Sequence, residues 1–151
     1  MLYLAYGSNL NIRQMKIRCP NSKPAGKFNL PNYKLVFRSV ADIMKSKGDV
    51  VPIGVWDIDN KDEKALDRYE GYPTLYRKEY LTIKKNGKKE ICMFYVMNDN
   101  SYYYKPSHHY YNTIEEGYKN FGLDTKYLEQ AKADSIKKSD DLHYSLFNFK
   151  K

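Results

Sequence analysis

The chain has 151 residues, 42% of them hydrophobic and 15% aromatic, including 16 tyrosines, which fits one globular domain with its own core rather than a disordered chain. Its longest apolar runs fall far short of the roughly 20 residues that a membrane-crossing helix needs, and no basic segment followed by an apolar run opens it, so a cytoplasmic location and no membrane partner are expected. The net charge of +8 comes from dispersed lysines such as Lys84-Lys85, Lys88-Lys89 and Lys137-Lys138 while arginine is scarce; this predicts solvated charge and no nucleic-acid partner, because phosphate and base recognition draws on arginine forks.

Residues 2–6 read as a short buried strand that runs into the turn Gly7-Ser8-Asn9. Gly7 tolerates φ > 0, and Ser8 and Asn9 bond readily to nearby backbone. Such a turn gathers backbone N–H groups into a small anion cradle. Asn11 to Cys19 follows as a short helix, with Ile12 and Met15 on one face and Pro20 ending it. Strands are expected near 26–30, at 33–37 and at 50–58, where Gly54 marks a bulge or a close backbone approach. Residues 41–49 read as a polar loop. Asp59-Asn60 caps a helix to about Tyr69, with Glu63 as the capping-box partner and Ala65, Leu66 and Tyr69 on its apolar face. That helix breaks at Glu70-Gly71-Tyr72-Pro73. Asn86-Gly87 joins strands 75–84 and 90–97 as a hairpin. Pro106-Ser107 opens a helix closed by Gly122. Asp124 starts a last helix to about Lys138. This order of strands and helices is a single α+β domain, and short strands returning on one another are expected to close into a small mixed β-barrel. The domain is taken as 1–140, with a C-terminal tail at 141–151.

Chemistry points to few places. Cys19 and Cys92 form no C-x-x-C pair and read as reduced, buried thiols. His108 and His109 are adjacent, so on a helix they diverge by about 100° and make a poor metal pair. There is no Walker loop and no G-x-G-x-x-G; no metal and no cofactor are expected. Glu70 stands out, because a carboxylate at a helix C-terminus sits at the negative end of the dipole. Partial burial there raises its pKa and suits a general base. The tyrosines offer apolar walls with hydroxyl tips for a small polar ligand.

These residues together resemble the γ-glutamylcyclotransferase-like family, which takes in the plant avirulence-induced proteins and the γ-glutamylamine cyclotransferases. Four blocks match in order: Tyr6-Gly7-Ser8-Asn9-Leu10 with Arg18-Cys19-Pro20; Gly54-Val55-Trp56 leading to Leu66-Asp67-x-x-Glu70-Gly71-Tyr72-Pro73-x-x-Tyr76; Phe94-Tyr95-Val96-Met97; and Pro106-Ser107-x-x-Tyr110-x-x-x-Ile114-x-x-Gly117. Asn9 sets the chain apart from the glutathione-directed branch, which reads Tyr-Gly-Ser-Leu. The resemblance implies a small mixed α/β barrel wrapped by helices. It also implies a reaction in which the α-amine of a γ-glutamyl group attacks its own γ-carbonyl, releasing 5-oxoproline and a free amine or amino acid. By this resemblance Glu70 is the general acid/base, and Tyr6, Gly7, Ser8, Asn9 and Leu10 hold the glutamyl moiety. Tyr76, Tyr95 and Tyr110 line the cavity and donate hydroxyls. The expected partner is a small γ-glutamyl compound, and the expected state a monomer or homodimer. Residues 41–49 bear on substrate choice, and the aromatic tract 99–105 is expected as a lid or a wall for the leaving group. The alternative on the same fold is a binding or regulatory module without turnover.

Overall fold

A computed structural model describes the backbone of residues 1–149 and the side chains of residues 1–141. Strand β1 (Leu2–Ala5) is buried along its whole length because it lies at the centre of the sheet. It pairs antiparallel with β3 (Val40–Asp57) on one side, Leu2 against Asp57 and Ala5 against Gly54, and parallel with β5 (Lys88–Met97) on the other. β2 (Lys23–Arg38) and β4 (Tyr76–Lys85) complete the order β2-β3-β1-β5-β4. The sheet is mixed and the single α+β domain stands, but the expected barrel does not close. β2 and β4 lie at the two ends of that order and are edges. The edge of β2 is covered instead: the Phe37 N–H donates to Ser135 Oγ at 3.0 Å, a hydroxyl carried by α4 (Lys126–Phe149). That contact satisfies an edge donor that would otherwise face a void.

The expected loop at 41–49 is strand. β2 and β3 form one long hairpin that turns at Ser39 (φ 62°), with Phe37 opposite Ala41 and Tyr33 opposite Lys45. Lys45, Lys47, Gly48 and Asp49 are polar or small because this part of the hairpin is exposed, so their polarity reports solvent rather than irregular backbone. A bulge at Asn32 (φ 62°) is tied across by the Gly48 N–H to Asn32 Oδ1 at 3.1 Å.

Helix α1 (Ile12–Arg18) is capped by Asn11, α2 (Asn60–Glu70) by Asp59 and α3 (His108–Phe121) by Ser107. The capping-box partner of α2 is Asp62, not Glu63: the Asp62 N–H donates to Asp59 Oδ1 at 2.8 Å and the Asp59 N–H to Asp62 Oδ2 at 3.2 Å. Leu66 alone of the three expected apolar positions of α2 is fully buried, and Tyr69 is partly exposed. The last helix runs past Lys138 to Phe149, since 139–149 holds no glycine or proline to stop it. Among the described residues no helix is long and apolar enough to cross a membrane.

Among the described residues one buried side-chain group lacks a partner: the Tyr118 hydroxyl, on the inner face of α3, makes no hydrogen bond to any of them. Leaving such a donor unpaired costs about 1–3 kcal/mol. Tyr118→Phe is therefore expected to raise the stability of the protein by about 1 kcal/mol, read as a higher urea midpoint at unchanged m-value.

Candidate active site

The cavity forms where β1 ends. Ser8–Leu10 makes one 3-10 turn, closed by the Leu10 N–H to Gly7 O and the Asn11 N–H to Ser8 O, both at 3.0 Å. The N–H groups of Gly7, Ser8 and Asn9 find no acceptor among the described residues, as expected for the open start of a helical turn. Trp56 fixes the turn from below, its indole N–H donating to Asn9 O at 2.8 Å. Gly7 is not left-handed (φ −124°). A close approach requires it, because a Cβ there would lie 3.1 Å from the Ala41 Cβ.

Across from the turn, α2 ends in a Schellman motif. Gly71 is left-handed (φ 66°) and the Tyr72 N–H reaches Asp67 O at 2.9 Å. This stop leaves Glu70 as the last helical residue. Asn9 Nδ2 donates to Glu70 Oε1 at 3.2 Å and to Tyr3 Oη at 2.9 Å. Together these elements surround a cavity of about 220 Å³, lined by Glu70, the Gly7-Ser8-Asn9 turn, six tyrosines, Leu75, and the small side chains of Val40 and Ala41.

Burial pushes the Glu70 carboxyl from 4.5 up to about 7, against a smaller opposing pull from the Arg18 guanidinium. Its position at the carbonyl end of α2 acts in the same direction as burial. Glu70 is half-buried, with phenol rings around the cavity that it faces. The tyrosines around it stay neutral: burial raises Tyr3, Tyr6, Tyr76, Tyr95 and Tyr110, and the nearby Glu70 charge adds to each.

Their hydroxyls are not equivalent. Tyr6 donates to Tyr95 O at 2.7 Å, Tyr76 to Ala41 O at 2.7 Å and Tyr95 to Asp67 Oδ1 at 2.6 Å. Those three protons are committed to the protein. Tyr3 and Tyr110 instead accept, from Asn9 Nδ2 and from the Ala41 N–H at 3.0 Å. The Tyr3 O–H finds no acceptor among the described residues, while the Tyr110 hydroxyl also meets the Ser8 hydroxyl.

The cavity thus brings together Glu70, Tyr6, Gly7, Ser8, Asn9, Tyr76, Tyr95 and Tyr110. Leu10 is elsewhere: its side chain is fully buried against Gly54 and Gly117. The cavity also recruits Tyr3, Val40, Tyr69 and Leu75, none of which the sequence singled out as a site residue, and Ala41, the first residue of the 41–49 segment. For Tyr69 a signal was present, since it precedes Glu70; its hydroxyl lies 2.9 Å from Ser8 Oγ. The tract 99–105 contributes no lid and no wall. It lies along the β2–β3 turn, where the Tyr104 N–H donates to Phe37 O at 3.1 Å and Arg38 Nη1 to Tyr102 O at 2.7 Å. Among the described residues no group of three His, Cys, Asp or Glu side chains is placed to hold a metal ion.

This combination of turn, helix end and tyrosine-walled cavity has relatives. The family described as γ-glutamyl cyclotransferase, AIG2-like, matches residues 3–118. The chain belongs to that family. A γ-glutamylcyclotransferase of Bos taurus is 32% identical over 92% of this chain and 80% of its own, and one of Homo sapiens is 32% identical over 87% and 77%. A solved γ-glutamyl cyclotransferase structure superposes with a TM-score of 0.73 at 30% identity, covering 87% of this chain and 86% of that one. The residues matched by the family include the whole cavity, from Tyr3 to Tyr110. The family is one of enzymes, which agrees with a half-buried carboxyl in the lining of a preformed cavity.

Proposed function

We propose that the protein is a γ-glutamyl cyclotransferase that converts a γ-glutamyl amino acid or a γ-glutamylamine into 5-oxoproline and the free amino acid or amine, with Glu70 as general acid/base. The observation that carries this reading is a carboxyl raised to about 7, hydrogen-bonded to Asn9 of the Gly7-Ser8-Asn9 turn that lines the cavity. A base so tuned is half ionised near neutral pH and able both to take and to return a proton.

In this reading Glu70 takes a proton from the substrate α-ammonium. The freed amine attacks the γ-carbonyl carbon of the same molecule, forming the ring C–N bond and a tetrahedral oxyanion. The uncommitted N–H groups of the Gly7-Ser8-Asn9 turn stabilise the charge that develops. The bond to the leaving nitrogen then breaks as Glu70 returns the proton to it. The second proton, shed by the ring nitrogen as it becomes the lactam N–H, passes through Glu70 to the freed amine, which departs as an ammonium. Two protons thus move from the α-nitrogen to the leaving nitrogen, and charge balances over the cycle. Tyr3 and Tyr110, whose O–H groups are not committed to a carbonyl or carboxylate of the protein, orient the glutamyl group; Tyr76 and Tyr95 shape the wall. The nucleophile is part of the substrate, so the chemistry calls for no cofactor, and folding the substrate into the ring-closing pose is worth about 7–11 kcal/mol.

The test is release of 5-oxoproline, read by mass spectrometry, across a panel of γ-glutamyl amino acids and γ-glutamylamines. Turnover of at least one member is expected, with kcat/KM rising through an acidic limb near pH 7 as Glu70 ionises. Well-folded protein that converts no member of the panel would overturn the reading.

A further inference from the structure

Arg18, the last residue of α1, does not line the cavity, yet it touches two of the groups that do. Its Nη1 donates to Asn9 Oδ1. Its Nη2 donates to Gln14 Oε1 at 3.2 Å, one turn back on α1. Its guanidinium carbon lies 3.4 Å above the centroid of the Tyr69 ring. The planar fork is therefore held by a hydrogen bond on one side and a ring face on another, an arrangement that lysine does not reproduce.

The consequence follows from the chemistry of the Asn9 amide. An arginine has only donors, so the atom it meets on Asn9 must be the carbonyl oxygen. That turns the NH₂ group toward Tyr3 and Glu70, which is where its two protons go. A flipped amide would set two donors against each other at Arg18 and an oxygen against the Glu70 carboxylate.

We propose that Arg18 is a positioning residue for the candidate general base: by fixing the orientation of the Asn9 amide from behind, it holds the Glu70 carboxyl in one pose at the edge of the cavity. The inference rests on the reading of Glu70 given above. Among the described residues whose charge acts on Glu70, Arg18 is the cation. The other titratable groups lining the cavity with it are phenols: Tyr3 and Tyr6 beside the sheet centre, Tyr69 on α2, Tyr76 on β4, Tyr95 on β5 and Tyr110 on α3. Asp67, a turn earlier on α2, is occupied by Lys78 and Tyr95.

Arg18→Met and Arg18→Lys separate the fork from the charge. Arg18→Met is expected to lower kcat by up to about 100-fold, the scale of a misplaced catalytic group, with KM little changed, and to move the acidic limb to higher pH. Arg18→Lys keeps a cation and is expected to restore the limb but not kcat. Carbon-13 titration of the Glu70 carboxyl reads the same shift without turnover. In the wild type the Asn9 side-chain amide resonances are expected to move with that titration, and in Arg18→Met no longer to do so. Wild-type kcat together with an Asn9 response unchanged in both variants would overturn the proposal, as would a raised KM at intact kcat, which would make Arg18 a binding residue. If Arg18→Met does not fold, Arg18→Lys decides on kcat. If the wild type turns over no substrate, the proposed function fails, and the Asn9 response alone decides whether Arg18 orients the amide.

Discussion

Glu70→Gln is expected to reduce 5-oxoproline formation by on the order of 10²–10⁴-fold, the usual contribution of a positioned general acid/base, while making the folded protein more stable at alkaline pH. Both effects have one origin. The side chain is isosteric with the acid, so the hydrogen bond from Asn9 Nδ2 survives, and what is lost is the ability to ionise. In the wild type the folded carboxyl titrates near 7 and the unfolded one near 4.5. The folded state therefore holds its proton more tightly. Stability from that protonated form is fully present below pH 4.5 and is lost as pH rises through 7, where folding has to keep a charge in the cavity. Glutamine never meets that cost.

Thermal unfolding of the two proteins at pH 4 and pH 8 checks the sign. Equal midpoints are expected at pH 4, and a higher midpoint for Glu70→Gln at pH 8. The difference is expected to be about 2 kcal/mol, after allowing for solvent that reaches the cavity. An inactive variant that is also less stable at pH 8 would mean that Glu70 is a structural ion and would remove the physical basis of the proposed mechanism. A variant that keeps full turnover would sink the mechanism outright.

The elements that were legible in the chain are those dictated by neighbours in sequence. Asn86 and Gly87 both adopt positive φ (52° and 77°), the geometry that a two-residue hairpin needs. Gly71 and Gly122 end their helices in the left-handed conformation, and Ser107 caps α3 where expected. The strand at 41–49 was not legible, because its outer part from Lys45 to Asp49 is largely exposed, and an exposed hairpin arm and a loop share the same composition. Closure of the sheet was not legible either, since nothing local says that α4 rather than β4 covers the edge of β2. The same division runs through the cavity. Glu70 and the Gly7-Ser8-Asn9 turn are visible as short motifs. Which tyrosine keeps a free proton is not, because Tyr76 and Tyr110 are fixed by Ala41, 35 and 69 residues away. Leu10 sits in the motif yet points into the core, where it sets the position of the turn.

That position depends on one missing methyl group. Gly117→Ala is expected to destabilise the protein by about 1–3 kcal/mol, as overpacking does, and to lower turnover by at least about tenfold, since displacing the turn shifts its N–H groups relative to Glu70. Local preference argues the other way: alanine in a helix interior is better than glycine by about 1 kcal/mol. Packing wins because of what the new Cβ would meet, namely Leu10 Cβ at 2.6 Å, Leu10 carbonyl carbon at 2.7 Å and Asn11 N at 2.8 Å. Two of these are backbone atoms and cannot rotate aside. The turn cannot retreat, because Trp56 holds Asn9 O from below and Asn11 Nδ2 is bonded to Thr113 O of α3 at 3.0 Å. Either α3 lifts or the turn is pressed into the cavity. Asn112→Ala, at an exposed position of the same helix, supplies the comparison, because it improves helix propensity without touching the turn. Urea unfolding and 5-oxoproline release of the two variants are expected to diverge in both readouts. A Gly117→Ala protein as stable and as active as Asn112→Ala would show that α3 does not hold the turn in place.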